Sequence, residues 1–454
     1  MTGENEQATR RAELLAALEA RETPVYGVNT GMGRLAGVRL DAEEQAAHQR
    51  NLLIGRAVGG PPWLPPEDAR ALLTVRLRDF RQPWSGVSPE LVRFLADRID
   101  DGFTPAVPRT GLGSAGEIIA LSHAFQTFLG IGTVLEDGVE VPAARALAKR
   151  GVEPYVLGAK EGASLLQGSP LAIMHAERGI REAQQLVDLQ TLTAAIAIDV
   201  LGAPRDVYLP ALAGDDTQLR SILERLQSLS SPTRSGVVQA PVSVRVAPRA
   251  IAHAARVVGD LRETLRRWGT MPTDSPSFLD GDFVPTTGFH AAEIGLRMDA
   301  LTAASAHLGE IAVQRMHRLL DERFSGLPPQ LTTDPGPQAG LTPLHKRAVG
   351  ELQALRRLAA PATLGSIDTS AGQEDVQAFA WAAGEQLRDA ASHLFAITAC
   401  ELIIGAQARH LGGGGAPSLG PIYLRIMPVD VDRPLGPEVQ DLIRELRDGV
   451  WTWG

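Results

Sequence analysis

The 454-residue sequence predicts a mainly α protein: a loop-rich N-terminal region followed by a central bundle of long helices. Three observations carry that prediction. Apolar residues recur at spacings of three, four or seven over long stretches of the chain, which draws one stripe along a helix. Gly and Pro punctuation is concentrated in residues 1–170, and beyond it the texture turns Ala- and Leu-rich. Hydrophobic residues make up 44% but aromatics only 5%, so helix-forming Ala and Leu must fill the core.

Taken in order, residues 1–175 read as one domain. Short helices at 68–80 and 89–98 alternate there with loops at 24–33 and 105–116. Residues 176–454 read as the long-helix bundle with a C-terminal segment. Its first helix is expected over 179–201. The next, over 291–324, carries Ile294, Met298, Leu301, Leu308 and Ala312 on one face. Thr342 reads as an N-cap with Pro343 at the first helical position, opening a helix with Leu344, Leu352, Leu355 and Leu358 on one side. The last long helix is expected over 375–411, with Phe379, Ala383, Leu387, Leu394 and Ile397 aligned. Stripes this long suit a bundle shared between subunits. The glycine run 412–415 lacks the Lys and Ser/Thr of a phosphate loop and reads as a flexible connector. No fixed-period repeat argues for a solenoid.

Composition narrows the function. Lys plus Arg total 44 against 53 acidic residues, and 44 − 53 = −9, the wrong sign for a nucleic-acid binder. The single cysteine, Cys400, excludes an internal disulfide framework, and no HExxH or paired histidine suggests a metal. The first twenty residues mix both charge signs without an apolar segment, unlike a secretion signal. The most apolar stretch, 394–406, is interrupted by Glu401 and too short to span a bilayer. A cytoplasmic protein without membrane or nucleic-acid partners is expected.

Several strings carry chemistry. YGVNTGMG at 26–33 sets Tyr26 and Asn29 among three glycines, which suits a sharp turn presenting a phenol; alone it reads equally as a surface turn with a packing tyrosine. QRNLLIG follows at 49–55, PRTGLGSAGEIIALSH at 108–123, EGASLLQGS at 161–169 and QAPVSVR at 239–245. TDSP at 273–276, GFH at 288–290, PATLGSIDTSAGQED at 361–375 and VDVDRP at 429–434 complete the series. In order and spacing these strings resemble, over nearly the whole chain, the aromatic amino acid ammonia-lyases and aminomutases, histidine ammonia-lyase most of all.

That resemblance implies an ammonia-lyase-like fold and a homotetramer acting on a small molecule, each site assembled from three subunits with helix N-termini pointing into it. It implies Tyr26 as general base, Arg245 as the fork that holds a carboxylate, and Glu374 beside the substrate side chain. Asn29, Gln239 and Phe289 match positions lining the site. Alternatives stand beside these roles. Arg245 also suits a helix cap or ion pair, and Glu374 with Asp375 suits the start of a helix. His290 reads as an ordinary buried histidine, and Arg76 and Arg78 as surface charge.

The sequence departs from the family at its centre. The family's electrophile, methylidene-imidazolone, forms when an Ala-Ser-Gly tripeptide cyclises and its Ser loses water. The equivalent here is Ser114-Ala115-Gly116, and alanine has no hydroxyl to lose. A second catalytic tyrosine is replaced by Val242, and the aspartate beside Gln239 by Ala240. Arg56 stands where relatives carry a ring-selecting histidine, Gln167 where they carry an asparagine, and Gly288 replaces another. No cofactor is therefore expected. Three readings stay open. One is a lyase or cyclase of secondary metabolism that uses Tyr26 and Arg245 for elimination, addition or ring closure without the electrophile; ergothionase, which expels trimethylamine, is a relative of this kind. Another is a conventional ammonia-lyase or aminomutase whose group forms from Ser114 in a shifted register. The third is a noncatalytic metabolite-binding homologue.

Overall fold

A computed structural model describes residues 3–231 and 237–451. The chain divides into two compact units. The first comprises residues 1–177, 263–296 and 362–385; the second comprises 178–262, 297–361 and 386–454. A single boundary at 175/176 does not describe this, because two later segments return to the first unit. Four of the five breaks fall inside a long helix, where the helical pattern runs on and nothing in the sequence marks them.

The long helices form where the stripes place them, with different ends. One spans Pro170–Leu201, opening at a proline well before residue 179. Another spans Ala292–Leu319, and a separate short helix, Glu322–Ser325, follows a cap in which Asp321 accepts the Arg323 N–H. Thr342 is the first residue of the helix Thr342–Leu358 rather than its cap, and its hydroxyl donates to Gln330 Oε1 at 2.8 Å. The last long helix is Ala380–His410, and Phe379, at φ 44°, lies outside it. A left-handed residue cannot continue a right-handed helix, so Glu374 and Asp375 belong to the preceding loop. Ala380–His410 is apolar and long enough to cross a membrane, but 83% of its most apolar window is buried inside the fold, as befits a core helix.

In the first unit, helix Ala42–Ile54 opens with a capping box between Asp41 and Glu44. Helix Pro66–Phe80 and helix Pro89–Asp100, the latter capped by Ser88, pack on one another. Leu14, Val25, Val28, Phe278 and Phe283 form an apolar cluster under the tyrosine loop. Two antiparallel hairpins, Thr133–Glu136 with Val139–Pro142 and Ser277–Leu279 with Asp282–Val284, were not anticipated. Both turn on Asp-Gly with both residues at positive φ, the turn chemistry of a two-residue hairpin.

The second unit buries Leu308, Ala312, Leu344, Leu352, Leu355, Leu394 and Ile397 in one core. Within it a buried pair, Arg315 and Glu401, joins by two hydrogen bonds of 2.7 and 2.8 Å, with Gln190 and Thr193 accepting from the same guanidinium. The glycine run is anchored, not loose. The Asp199 carboxylate accepts the N–H groups of Gly415 and Ala416 and of Ser231. A Cβ at Gly414 would fall 2.2 Å from Asp199 Oδ2, so only glycine allows the approach.

Candidate active site

The tyrosine loop is fixed from beneath by amides. Gln49, buried on helix Ala42–Ile54, donates to the Gly27 carbonyl at 3.1 Å and accepts the Ala163 N–H at 3.0 Å. Asn29 accepts the Val25 N–H at 2.6 Å and an Arg39 donor at 3.3 Å, and donates to the Thr23 carbonyl at 3.2 Å. Its amide thus staples the loop and does not line the cavity beside Tyr26, where the resemblance would place it. The Tyr26 oxygen accepts the Gly33 N–H at 2.8 Å.

The tripeptide faces the same cavity. Ala115 and Gly116 are on its wall. The Ser114 hydroxyl turns back to donate to the Gly116 carbonyl at 2.6 Å. The Ala115 N–H donates to Glu374 Oε2 at 3.3 Å, and Thr369 and Ser370 hydroxyls donate to the same carboxylate at 3.2 and 3.0 Å. Phe289 backs the tripeptide, its ring edge 3.4 Å from where a Cβ on Gly116 would stand.

Glu117, next in sequence, carries an unforeseen role. Its two oxygens accept the N–H groups of Leu171 and Ala172 at 2.7 and 2.8 Å, which caps the N-terminus of helix Pro170–Leu201. That helix end is therefore satisfied by the chain's own carboxylate. Burial pushes the Glu117 carboxyl up to about 8, against the pull of these two amides and of Arg76. Arg76 is not surface charge: it is fully buried and donates to the Gln167 carbonyl at 2.5 Å. Its neighbour Asp79 is raised by burial to about 6. Arg78 does reach the surface, 2.8 Å from Glu177.

These elements enclose a cavity of about 450 Å³. Its wall brings together Tyr26, Arg56, Ala115, Gly116, Gln167, Phe289 and Glu374 from the sequence-derived set. It adds Met32, Glu117, Ile118, Ser370 and Gln373, which the sequence reading did not single out. The Arg56 guanidinium is lowered in proton affinity by burial, with Tyr26 and Glu374 acting in the opposite sense. Gly288 is confined by packing, since a Cβ there would lie 2.1 Å from the Pro272 carbonyl oxygen, and its own carbonyl accepts from Ser169 at 2.7 Å. His290 bonds the Val376 carbonyl at 3.3 Å. Among the described residues no group of three metal-ligating side chains occurs.

Gln239, Val242 and Arg245 belong to the second unit. Val242 opens a single helical turn, Val242–Arg245, and is 59% exposed. Arg245 is half-buried, and among the described residues its side chain makes one hydrogen bond, from Nε to the Ala240 carbonyl at 2.9 Å.

A helical fold with a tyrosine loop over a glycine-bounded tripeptide defines a class, the helical ammonia-lyase fold. The comparisons agree and go further. Residues 4–425 match the aromatic amino acid lyase family. Histidine ammonia-lyase of Symbiobacterium thermophilum is 31% identical over 98% of this chain and 91% of its own length. Tyrosine aminomutase from Streptomyces globisporus superposes with a TM-score of 0.93 at 25% identity, covering 98% of this chain and 91% of that one. The ergothioneine-degrading ergothionase of Treponema denticola shares the fold at 22% identity, with a TM-score of 0.89 over 98% and 93% of the two chains. The chain belongs to the aromatic amino acid lyase family.

Proposed function

We propose that this protein is a lyase or cyclase of that family that works without the methylidene-imidazolone electrophile. Tyr26 acts as general base and Arg245 as carboxylate anchor, for elimination, addition or ring closure on a small specialised metabolite. The observation that carries the reading is a phenol kept on the cavity wall beside a tripeptide whose central residue is Ala115. A methyl group cannot lose water, and the Ser114 hydroxyl is engaged by the Gly116 carbonyl. The residues present do not fit the group.

What remains suits proton chemistry. Tyr26 takes a proton from carbon beside an electron-withdrawing group, and a bidentate guanidinium holds the carboxylate that steadies the resulting negative charge. Val242 offers no second phenol, which restricts the reaction to leaving groups that depart without strong activation. Tyr26→Phe should lower turnover by ~10²–10⁴, the usual worth of a positioned base.

We further propose a homotetramer in which another subunit supplies Arg245. Support comes from apolar side chains exposed on the loops around the cavity, among them Leu35, Val58, Leu364 and Ile367, and on the segment before Arg245, Val238.

The decisive experiment is the intact mass of the purified protein, with an ammonia-release assay on histidine, phenylalanine and tyrosine. An unmodified mass and no ammonia are expected. A mass lower by two waters would establish cyclisation at Ser114 and replace this reading with a conventional ammonia-lyase or aminomutase.

A further inference from the structure

The charges on the cavity wall are not equally committed. Two cations, Arg34 and Arg56, and two carboxylates, Glu117 and Glu374, reach it. Glu374 already accepts from the Ala115 N–H and two hydroxyls. Glu117 is bound to the backbone of helix Pro170–Leu201 through both oxygens. Arg34 is solvent-exposed. Arg56 differs from all three: it is half-buried, and among the described residues its side chain makes one long hydrogen bond, to the Leu52 carbonyl at 3.4 Å. A guanidinium stays protonated at any physiological pH, and even beside the Glu374 carboxylate, which is already engaged by other donors, withdrawing it from water with few hydrogen bonds is unfavourable.

We propose that Arg56 binds a second acidic group of the substrate, so that the cavity selects a dicarboxylic acid with an apolar body. This inference rests on the reading of the cavity as a small-molecule lyase site. The fork geometry of Arg56 matches a carboxylate bidentately. Of the two cations on the wall Arg34 is solvent-exposed, so the half-buried Arg56 with Glu374 nearby suits a singly charged end better than a phosphate dianion. Met32, Ile118 and Phe289 on the same wall supply apolar surface for the body between the two acids. Arg245 remains the anchor for the other carboxylate.

The test uses the full-length protein and two probes that differ only in the second acid, hydrocinnamate and its para-carboxy derivative, with Kd measured by titration calorimetry. The diacid should bind wild type about tenfold tighter or more, as a charge-assisted bond is worth. In Arg56→Gln the two affinities should converge to within about twofold, and in Arg56→Lys, which keeps the charge but loses the fork, the preference should shrink without vanishing. Equal affinities in wild type, no binding of either acid, or an undiminished preference in either variant would overturn the proposal. Should Arg56→Gln not fold, wild type and Arg56→Lys decide the matter. Failure of the catalytic reading looks different. A diacid preference in a protein whose turnover survives Tyr26→Phe would sink the base assignment and leave the charge selector intact, while a Tyr26-dependent enzyme without that preference would do the reverse.

Discussion

Glu117 shows how much a single side chain can be moved by its surroundings. It follows the tripeptide in sequence, is buried on the cavity wall, and caps the N-terminus of a long helix. Its carboxyl rises from the ordinary range to about 8 in the fold, burial being the main cause. The folded state therefore favours its neutral form. That contribution is complete below the ordinary carboxylate pKa and is lost as pH rises through about 8. Asp79, raised to about 6, acts in the same direction at lower pH. Calorimetric melting at stepped pH should show the Tm of wild type falling by several degrees between about pH 5 and 8, and Glu117→Gln should flatten the upper part of that fall. A wild-type Tm that rises through this window would contradict the assignment. At the same scale, Gly288 shows why a residue read as a lost asparagine is not a simple deletion of function. The backbone of Pro272 occupies the space a side chain would need, so the fold admits only glycine at this position.

At the scale of elements, much of what builds the site is local and was legible. The YGVNTGMG string forms the loop that presents Tyr26, and the tripeptide string forms the stretch of wall hydrogen-bonded to Glu374. Helix positions followed from the stripes, while their ends did not, because caps and left-handed residues such as Phe379 set them and leave a weaker trace. The two Asp-Gly hairpins carried a readable turn signal that the dominant helical periodicity masked. The glycine run is the clearest reversal. In isolation four glycines suggest mobility, yet Asp199, distant in sequence, gathers the N–H groups of Gly415, Ala416 and Ser231. Asp199→Ala should leave those donors unmatched and lower stability by about 1–3 kcal/mol. Chemical denaturation measures the loss, and limited proteolysis should show new cleavage at 412–415; an unchanged midpoint and digestion pattern would mean the anchor is dispensable.

At the scale of the whole molecule, the two units carry different parts of the proposed chemistry. The first holds the cavity with Tyr26, the tripeptide and Arg56; the second holds Gln239, Val242 and Arg245. Sedimentation should give a tetramer. A stable monomer would remove the proposed supply of Arg245 from a neighbouring subunit and with it the two-anchor substrate. The buried Arg315–Glu401 pair belongs to this scale as well, since each residue comes from a different long helix and each satisfies the other inside an apolar core.

The sequence by itself determined the helical class, the family to which the strings belong, the alanine at position 115 and the valine at position 242, and several of the residues that meet around the cavity, Tyr26, Arg56 and Glu374 among them. These are properties of residue identity and local periodicity, which a linear string preserves. Only the tertiary structure decided that Asn29 staples its loop instead of lining the cavity, that Arg76 is buried, that Glu117 and Glu374 are committed to backbone and hydroxyl donors, and that Arg56 is the cation left with little to bind. Each of those facts depends on partners far away in sequence. Whether a charge is spent or available is set by what the fold brings within hydrogen-bonding distance, and spacing along the chain does not encode it.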